Sequence, residues 1–231
     1  MNPRIIRKFK TGIEIELVDY YQSYQGWYES SETETQDWIV DYVEKDWVCF
    51  EVGAHLGYYA MVMSLLAYNG QIVAFEASDQ TCTMMKNNIE YNKPRLRTDF
   101  KNLTIVNTAV GHFDAKNTWE KLWITGRPGI GETLGSFDFI TIDTYIRNNN
   151  HERLDLLMVD ADGWDYDVLR GARYTMTDLR PYVIMEANYA LGWRDHTFEE
   201  VQVYLDETGY YWKWLDQQCP GNLLAIPKEK L

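Results

Sequence analysis

The stretch "WVCFEVGAHLGYYAMVMSLL" (47–66) changes period in its middle. Residues 47–52 form a short apolar run of strand type, and residues 58–69 resume as an apolar helix that stops at Asn69-Gly70. Between them lies acid-x-Gly-x-x-x-Gly: Glu51, Gly53 and Gly57. A strand that turns over glycines straight into a helix is the first unit of a doubly wound α/β sheet, where ligands bind beyond the carboxyl ends of the strands. Gly53 lets the backbone bend and approach a ligand, and the helix start at Gly57 offers free N–H groups.

Outward from this turn the same alternation repeats. Residues 34–46 read as an amphipathic helix, 71–77 as a strand, 78–92 as a helix capped by Ser78 or Asp79, and 102–110 as a third strand. Residues 112–136 carry glycines and no clean period, so they read as a long loop of lid or binding type. A strand leading into a short helix follows at 137–148, then strand 154–162, helix 164–179, strand 181–188 and helix 197–209. The runs 210–216 and 222–228 are joined through Pro220-Gly221-Asn222, which permits an antiparallel hairpin and no parallel crossover. The expected fold is a doubly wound, mostly parallel seven-stranded Rossmann-like sheet with a C-terminal antiparallel hairpin. It forms one domain over 34–231 after an N-terminal extension at 1–33.

Composition narrows the partners. The chain has 231 residues, 45% apolar and 25% charged, which suits a single globular domain. A formal charge of −13 provides no basic field for a nucleic-acid backbone. No apolar run approaches the roughly 18 residues of a membrane span. The basic start "MNPRIIRKFKTG" lacks a signal-peptide pattern and reads as a solvated arm. Cys49, Cys82 and Cys219 have no metal-ligand spacing and fit idle thiols in a reducing, cytoplasmic setting. Aromatic residues are abundant, with 9 Trp and 17 Tyr, and several sit in loop-like contexts at 20–28 and 189–193.

The turn is not a dinucleotide fingerprint. G-x-G-x-x-G needs a glycine where His55 stands, and Glu51 suits a cationic amino group better than a diphosphate. Glu76 ends the second strand, where a carboxylate accepts both hydroxyls of a ribose. Together these residues favour an amino-acid-bearing nucleoside over NAD.

At "VCFEVGAHLGYYA" (48–60), "VAFEAS" (73–78), "FITIDTYI" (139–146), "LDLLMVDADGWDYDVLRGA" (154–172) and "PYVIMEAN" (181–188), the sequence resembles the FkbM-type family of class I S-adenosylmethionine-dependent methyltransferases. The resemblance implies S-adenosylmethionine across the first strand ends. Glu51, Gly53, Ala54, His55 and Gly57 would surround its methionine part, Glu76 its ribose, and Ala77, Ser78, Asn107 and Ala109 its adenine. It implies transfer to a hydroxyl of a sugar, glycoconjugate or other natural product. Three positions depart from the family pattern: Met158 replaces its lysine, Asp162 its glutamate, and Ala77 its proline.

Methyl transfer to a hydroxyl needs alignment and a proton acceptor. Asp160, Asp162 and Glu186 are the candidate catalytic acids, with Asp160 the first choice. Asp162 also reads as a helix cap, and Asp143 as the cap of the short helix after it. The imidazoles are His55, His112, His151 and His196. Asp160, Glu186 and Asn188 could together offer oxygen ligands to a divalent metal, which is an alternative and not the expected cofactor. Acceptor recognition is expected from 112–136, with Trp119, Trp123 and Arg127, and from the aromatics at 20–28 and 189–193. The competing classes are an NAD-linked oxidoreductase and a non-catalytic binding module.

Overall fold

The computed structural model describes residues 4–18, 32–123, 132–216 and 221–231. The chain begins with a hairpin of β1 (Arg4–Lys8) and β2 (Glu14–Val18), followed by α1 (Thr33–Tyr42). The opening unit of the sheet is β3 (Val48–Val52), α2 (Tyr58–Leu66), β4 (Gln71–Glu76), α3 (Asp79–Leu96) and β5 (Leu103–Asn107). Three strands then form a separate small sheet: β6 (Ala109–Val110), β7 (Ala115–Trp123) and β8 (Glu132–Ile140). The chain returns through α4 (Ile142–Asn148), β9 (Leu156–Val159), α5 (Asp165–Arg170) and β10 (Tyr182–Glu186). It ends with α6 (Phe198–Glu207), β11 (Tyr210–Asp216) and β12 (Asn222–Pro227).

The main sheet has seven strands in the order β11-β12-β10-β9-β3-β4-β5. The contacts among β3, β4, β5, β9 and β10 are parallel, while β12 runs against both β10 and β11. The doubly wound sheet and its terminal hairpin are therefore as the sequence implies. After β5 the chain crosses back to the other side of β3, which makes the β3–β9 boundary the switch point where a crevice opens.

Alternation along the strands divides the core. Cys49, Ala74, Met158, Ile184 and Leu224 face one side with residues of α1, α2 and α3, whereas Phe50, Phe75, Val159, Met185 and Leu223 face the other with residues of α4, α5 and α6. The residues that follow β3 and β9 continue the pairing of Val52 with Val159, Phe75 and Met185. Asn222, Glu186, Asp160, Gly53, Glu76 and Asn107 thus form one row across the carboxyl end of the sheet. Period-2 alternation puts the side chains of this row on the α1–α3 side.

Several expectations change. The N-terminal segment is not a solvated arm: Ile5, Phe9, Ile15 and Leu17 are buried in the first core cluster. Asn92 completes the edge of β2, donating to the Glu16 carbonyl at 2.8 Å and accepting from the Glu16 N–H at 3.2 Å. The segment 112–136 is mostly the β7–β8 hairpin, with only 124–131 outside the described residues. The strand expected over 102–110 splits, because Ala109 and Val110 leave the main sheet to pair with Phe139 and Ile140. The helix expected over 164–179 breaks after Arg170, where a Cβ on Gly171 would lie 2.0 Å from the Gly111 carbonyl oxygen. Cys49 and Cys82 are buried free thiols; Cys219 lies outside the described residues. No helix of the described residues is long and apolar enough to cross a membrane.

Candidate functional site at the switch point

The turn after β3 is held by its own backbone. The N–H groups of Gly53 and Ala54 donate to the Phe75 carbonyl at 3.0 and 2.9 Å, and that of Gly57 to the Ala54 carbonyl at 2.7 Å. Gly53 and Gly57 both have φ of +82°. A Cβ on Gly53 would lie 1.7 Å from the Asp160 carbonyl oxygen, so this glycine admits β9 rather than a ligand. A Cβ on Gly57 would lie 2.6 Å from Cγ of Met85, so this one admits α3. Both glycines are required, for reasons of packing that the motif alone does not reveal.

Beyond the turn lies an open cleft of about 620 Å³ including its mouth. Gly53, His55, Glu76, Asp160 and Asp162 line one part of it. Ala77, Thr108, Ala109, Leu122 and Trp164 line the remainder, where the small sheet closes over the main one. Glu76 accepts the His55 N–H at 3.0 Å through one carboxylate oxygen and the Ser78 N–H at 2.8 Å through the other. Each oxygen keeps a lone pair for a further donor. Burial lowers the His55 imidazole to about 4, so it is neutral near pH 7 and serves the turn rather than proton transfer.

Asp160 and Asp162 end β9 in a turn that Asp165 shapes. Asp165 accepts the Ala161 N–H at 2.8 Å and the Gly163 N–H at 2.9 Å. Asp162 does not cap α5, whose start at Trp164 has no side-chain cap; Asp165 instead ties down the turn before it. Asp162 has φ of +46°, a left-handed conformation that Asp tolerates better than most residues. Burial, then the charges of Asp165 and Glu76, push its carboxyl up to about 7. Burial and the charge of Glu186 hold Asp160 well above the usual carboxylate range.

The remaining candidates separate. Ala54, Gly57, Ser78 and Asn107 stand just outside the lining; Ser78 caps α3 through the Thr81 N–H, and Asn107 donates to the Glu76 carbonyl at 2.9 Å. Glu51 and Glu186 are buried beside it, each with an Oε2 that has no hydrogen-bond partner among the described residues. Asn188 uses its oxygen to cap the turn at Tyr189–Arg194, accepting the Ala190 N–H at 2.6 Å. Among the described residues no three His, Cys, Asp or Glu side chains converge on a metal position. Asp143 caps a different turn from the one expected, accepting the N–H groups of Tyr174 and Thr175 at 2.8 and 2.9 Å.

Of the other histidines, His112 and His196 lie 2.8 and 3.4 Å from buried Asp167, and His151 packs on Phe50. Asp167 also holds Arg194 at 2.6 Å, and that guanidinium stacks 3.4 Å above Trp164, the aromatic wall of the cleft. Trp119 is 70% exposed on the face of β7 opposite the buried Leu122, so it points away from the lining. Tyr189 and Trp193 make an exposed edge-to-face pair with ring centroids 5.6 Å apart. Arg127, the side chain of Trp123 and residues 20–28 lie outside the described residues.

Sequence reasoning missed Glu32, Asp165 and Trp164 as parts of this end of the sheet. Glu32 is buried before α1, with φ of +55°, and accepts from the Tyr59 hydroxyl at 2.8 Å and from Asn222 Nδ2 at 3.2 Å. Trp164 and Asp165 follow the "VDADG" segment directly, a signal available in the sequence; Glu32 has none.

A family model described as the methyltransferase FkbM domain matches residues 51–211. A methyltransferase FkbM from Methylobacillus flagellatus KT superposes with a TM-score of 0.56 at 14% identity, covering 79% of this chain and 44% of that one. The chain thus spans less than half the length of that protein. A putative rRNA-methylase from Clostridium thermocellum superposes with a TM-score of 0.54 at 13% identity, covering 86% of this chain and 96% of that one. A precorrin-6y C5,15-methyltransferase from Geobacter metallireducens GS-15 gives 0.51 at 12% identity, with 85% and 89% covered. Among curated proteins, none matches the sequence.

Proposed function

Because the chain belongs to the FkbM methyltransferase family, we propose that it is an S-adenosylmethionine-dependent methyltransferase of the class I type that methylates a hydroxyl group of a sugar or glycoconjugate. The observation that carries this reading is the cleft at the switch point, with Glu76 at one end of its polar wall and Asp160 and Asp162 at the other.

The residues present fit the cofactor. A carboxylate with two available lone pairs suits a ribose diol, the Ala77, Ala109, Leu122 and Trp164 surface suits a flat base, and the acids beyond Gly53 suit a cationic end. Glu51 lies buried beneath the turn, where burial holds its carboxyl well above the usual carboxylate range. When bound, the cofactor supplies a methyl group on positively charged sulfur. Glu76 and the His55 backbone order the loop around it, and Trp164, held by Arg194, closes the wall and limits water.

Proton acceptance falls to Asp162 rather than to Asp160, the first choice from sequence. A group near 7 is ionised in about half of molecules at neutral pH and remains basic enough to take a hydroxyl proton. Asp160, held further toward its neutral form, positions the acceptor beside it. The domain extends over 34–231, with the N-terminal hairpin packed on it as an extension.

The test has two parts. Calorimetry should detect S-adenosylhomocysteine and no NAD; binding of neither would leave a binding module without catalysis. With extracted glycans and nucleotide sugars, the protein should add the mass of one methyl group. Asp162→Asn should lower kcat by about 10²–10⁴-fold. The wild-type rate should rise with pH through an apparent pKa near or below 7, since Asp162 must be ionised. Full activity in Asp162→Asn, with loss in Asp160→Asn, would return the base to Asp160.

A further inference from the structure

The order of the strands fixes the side from which an acceptor can come. Glu76, Ala77 and Ala109, suited to the cofactor's ribose and base, stand at the end of β4 and the start of β6, whereas Asp162 follows β9. β10 lies on the side of β9 away from β3 and β4. A hydroxyl that reaches Asp162 without crossing the cofactor's part of the cleft therefore comes from the β10 side. The segment it meets there is the turn at Tyr189–Arg194, which follows β10.

That turn packs directly on the loop carrying Asp162. A Cβ on Gly163 would lie 2.6 Å from the Ala190 carbonyl oxygen and 3.5 Å from Cε3 of Trp193, and Gly163 separates two residues that line the cleft, Asp162 and Trp164. Ala190 and Leu191 are buried on the inner side of the turn. Its ends are fixed: Asn188 accepts the Ala190 N–H, the His196 N–H donates to the Leu191 carbonyl at 3.1 Å, and Arg194 is held by Asp167 and stacked on Trp164. On the outer side Tyr189 is 69% and Trp193 42% exposed, with their ring planes at 73°. A well-anchored turn thus holds two large aromatic faces in water at the edge of the cleft, forgoing the burial energy such rings otherwise provide.

Two rings near a right angle make a corner rather than a flat slot. A planar aromatic acceptor would use one face of it, and an alkyl chain would need more enclosure than rings so exposed provide. A saturated ring lays its C–H face on one aromatic ring and its edge on the other, and hydroxyls around its rim meet the carboxyl oxygens of Asp160 and Asp162. We propose that Trp193 and Tyr189 form the acceptor subsite, a shelf on which a pyranose ring stacks while one of its hydroxyls reaches Asp162. The proposal rests on the methyltransferase reading for the role of Asp162 and names within it the element that selects the sugar.

Saturation-transfer and titration NMR test it with methyl β-glucopyranoside, methyl β-galactopyranoside, methyl α-mannopyranoside and phenol, on protein with and without S-adenosylhomocysteine. At least one pyranoside should bind, with transfer strongest to the ring C–H protons of one face. Trp193→Ala should weaken that binding by about tenfold and Tyr189→Ala by a smaller factor, while Trp193→Phe keeps most of it. A cooperative thermal transition shows that each variant is folded. No pyranoside bound by the wild type, pyranoside binding that survives both alanine variants, or dependence on Trp193 for phenol alone overturns the proposal. S-adenosylhomocysteine binding without pyranoside binding removes the shelf and keeps the methyltransferase reading. Pyranoside binding that depends on Trp193 in a protein that takes no S-adenosylhomocysteine does the reverse.

Discussion

Gly53 shows how a residue can be read correctly and for the wrong reason. The sequence motif marks it as a place where a side chain cannot stand, and its φ of +82° agrees. The obstruction is the Asp160 carbonyl of the neighbouring strand, 1.7 Å from where a Cβ would lie. Gly53→Ala should therefore destabilise the fold by about 2 kcal/mol or more, through overpacking and an unfavourable backbone conformation together. Thermal or urea unfolding of the apo protein measures this directly. A loss of cofactor affinity without loss of stability would mean that the glycine serves the ligand instead. The acids at the strand ends were easier to read, because "FEVG", "FEA", "VDAD" and "MEA" each close an apolar run at the same point of a parallel sheet. Glu32 could not be found that way: its partners Tyr59 and Asn222 come from distant parts of the chain.

Among the elements, the long strands of the main sheet follow from their apolar runs, whereas the small sheet was hidden. In β7 the pairing register slips between Ala115 and Thr118, with Asn117 at φ of +50°, so the period-2 signal is interrupted where it begins. The start of α1 shows a different kind of concealment. Its first turn has no cap from its own neighbourhood; Asp216 at the end of β11 accepts the N–H groups of Glu34 and Thr35 at 3.2 and 3.1 Å, and the Thr35 hydroxyl. A register shift between Trp214 and Asp216 accompanies this placement. Asp216→Ala should cost about 1–2 kcal/mol, the usual worth of an N-cap with its favourable charge. Urea denaturation should show a lower midpoint with an unchanged slope. An unchanged midpoint would mean that water replaces the carboxylate without loss.

For the whole molecule, the carboxyl end of the sheet stores electrostatic tension. Burial raises the carboxyls of Glu32, Glu51, Glu76, Asp160, Asp162, Asp165 and Glu186 above their ordinary values. At neutral pH the folded chain then holds protons that the unfolded chain has released, so stability falls as pH rises. The window opens at the ordinary carboxylate range near 4 and extends through about 7 for Asp162. Asp167, which Arg194 and the two histidines hold below its ordinary value despite burial, acts oppositely and loses stability only as pH falls through the acid range. The apo protein should melt at a higher temperature near pH 5 than near pH 8, and Asp162→Asn should flatten the difference. A melting temperature that rises over that interval would contradict the assignment. The Asp216 tie to α1 matters for synthesis as well as stability. It spans 182 positions, so the ribosome delivers the helix long before its cap. A nascent chain lacking the last two strands cannot finish that end of the sheet, however well its cofactor turn is made.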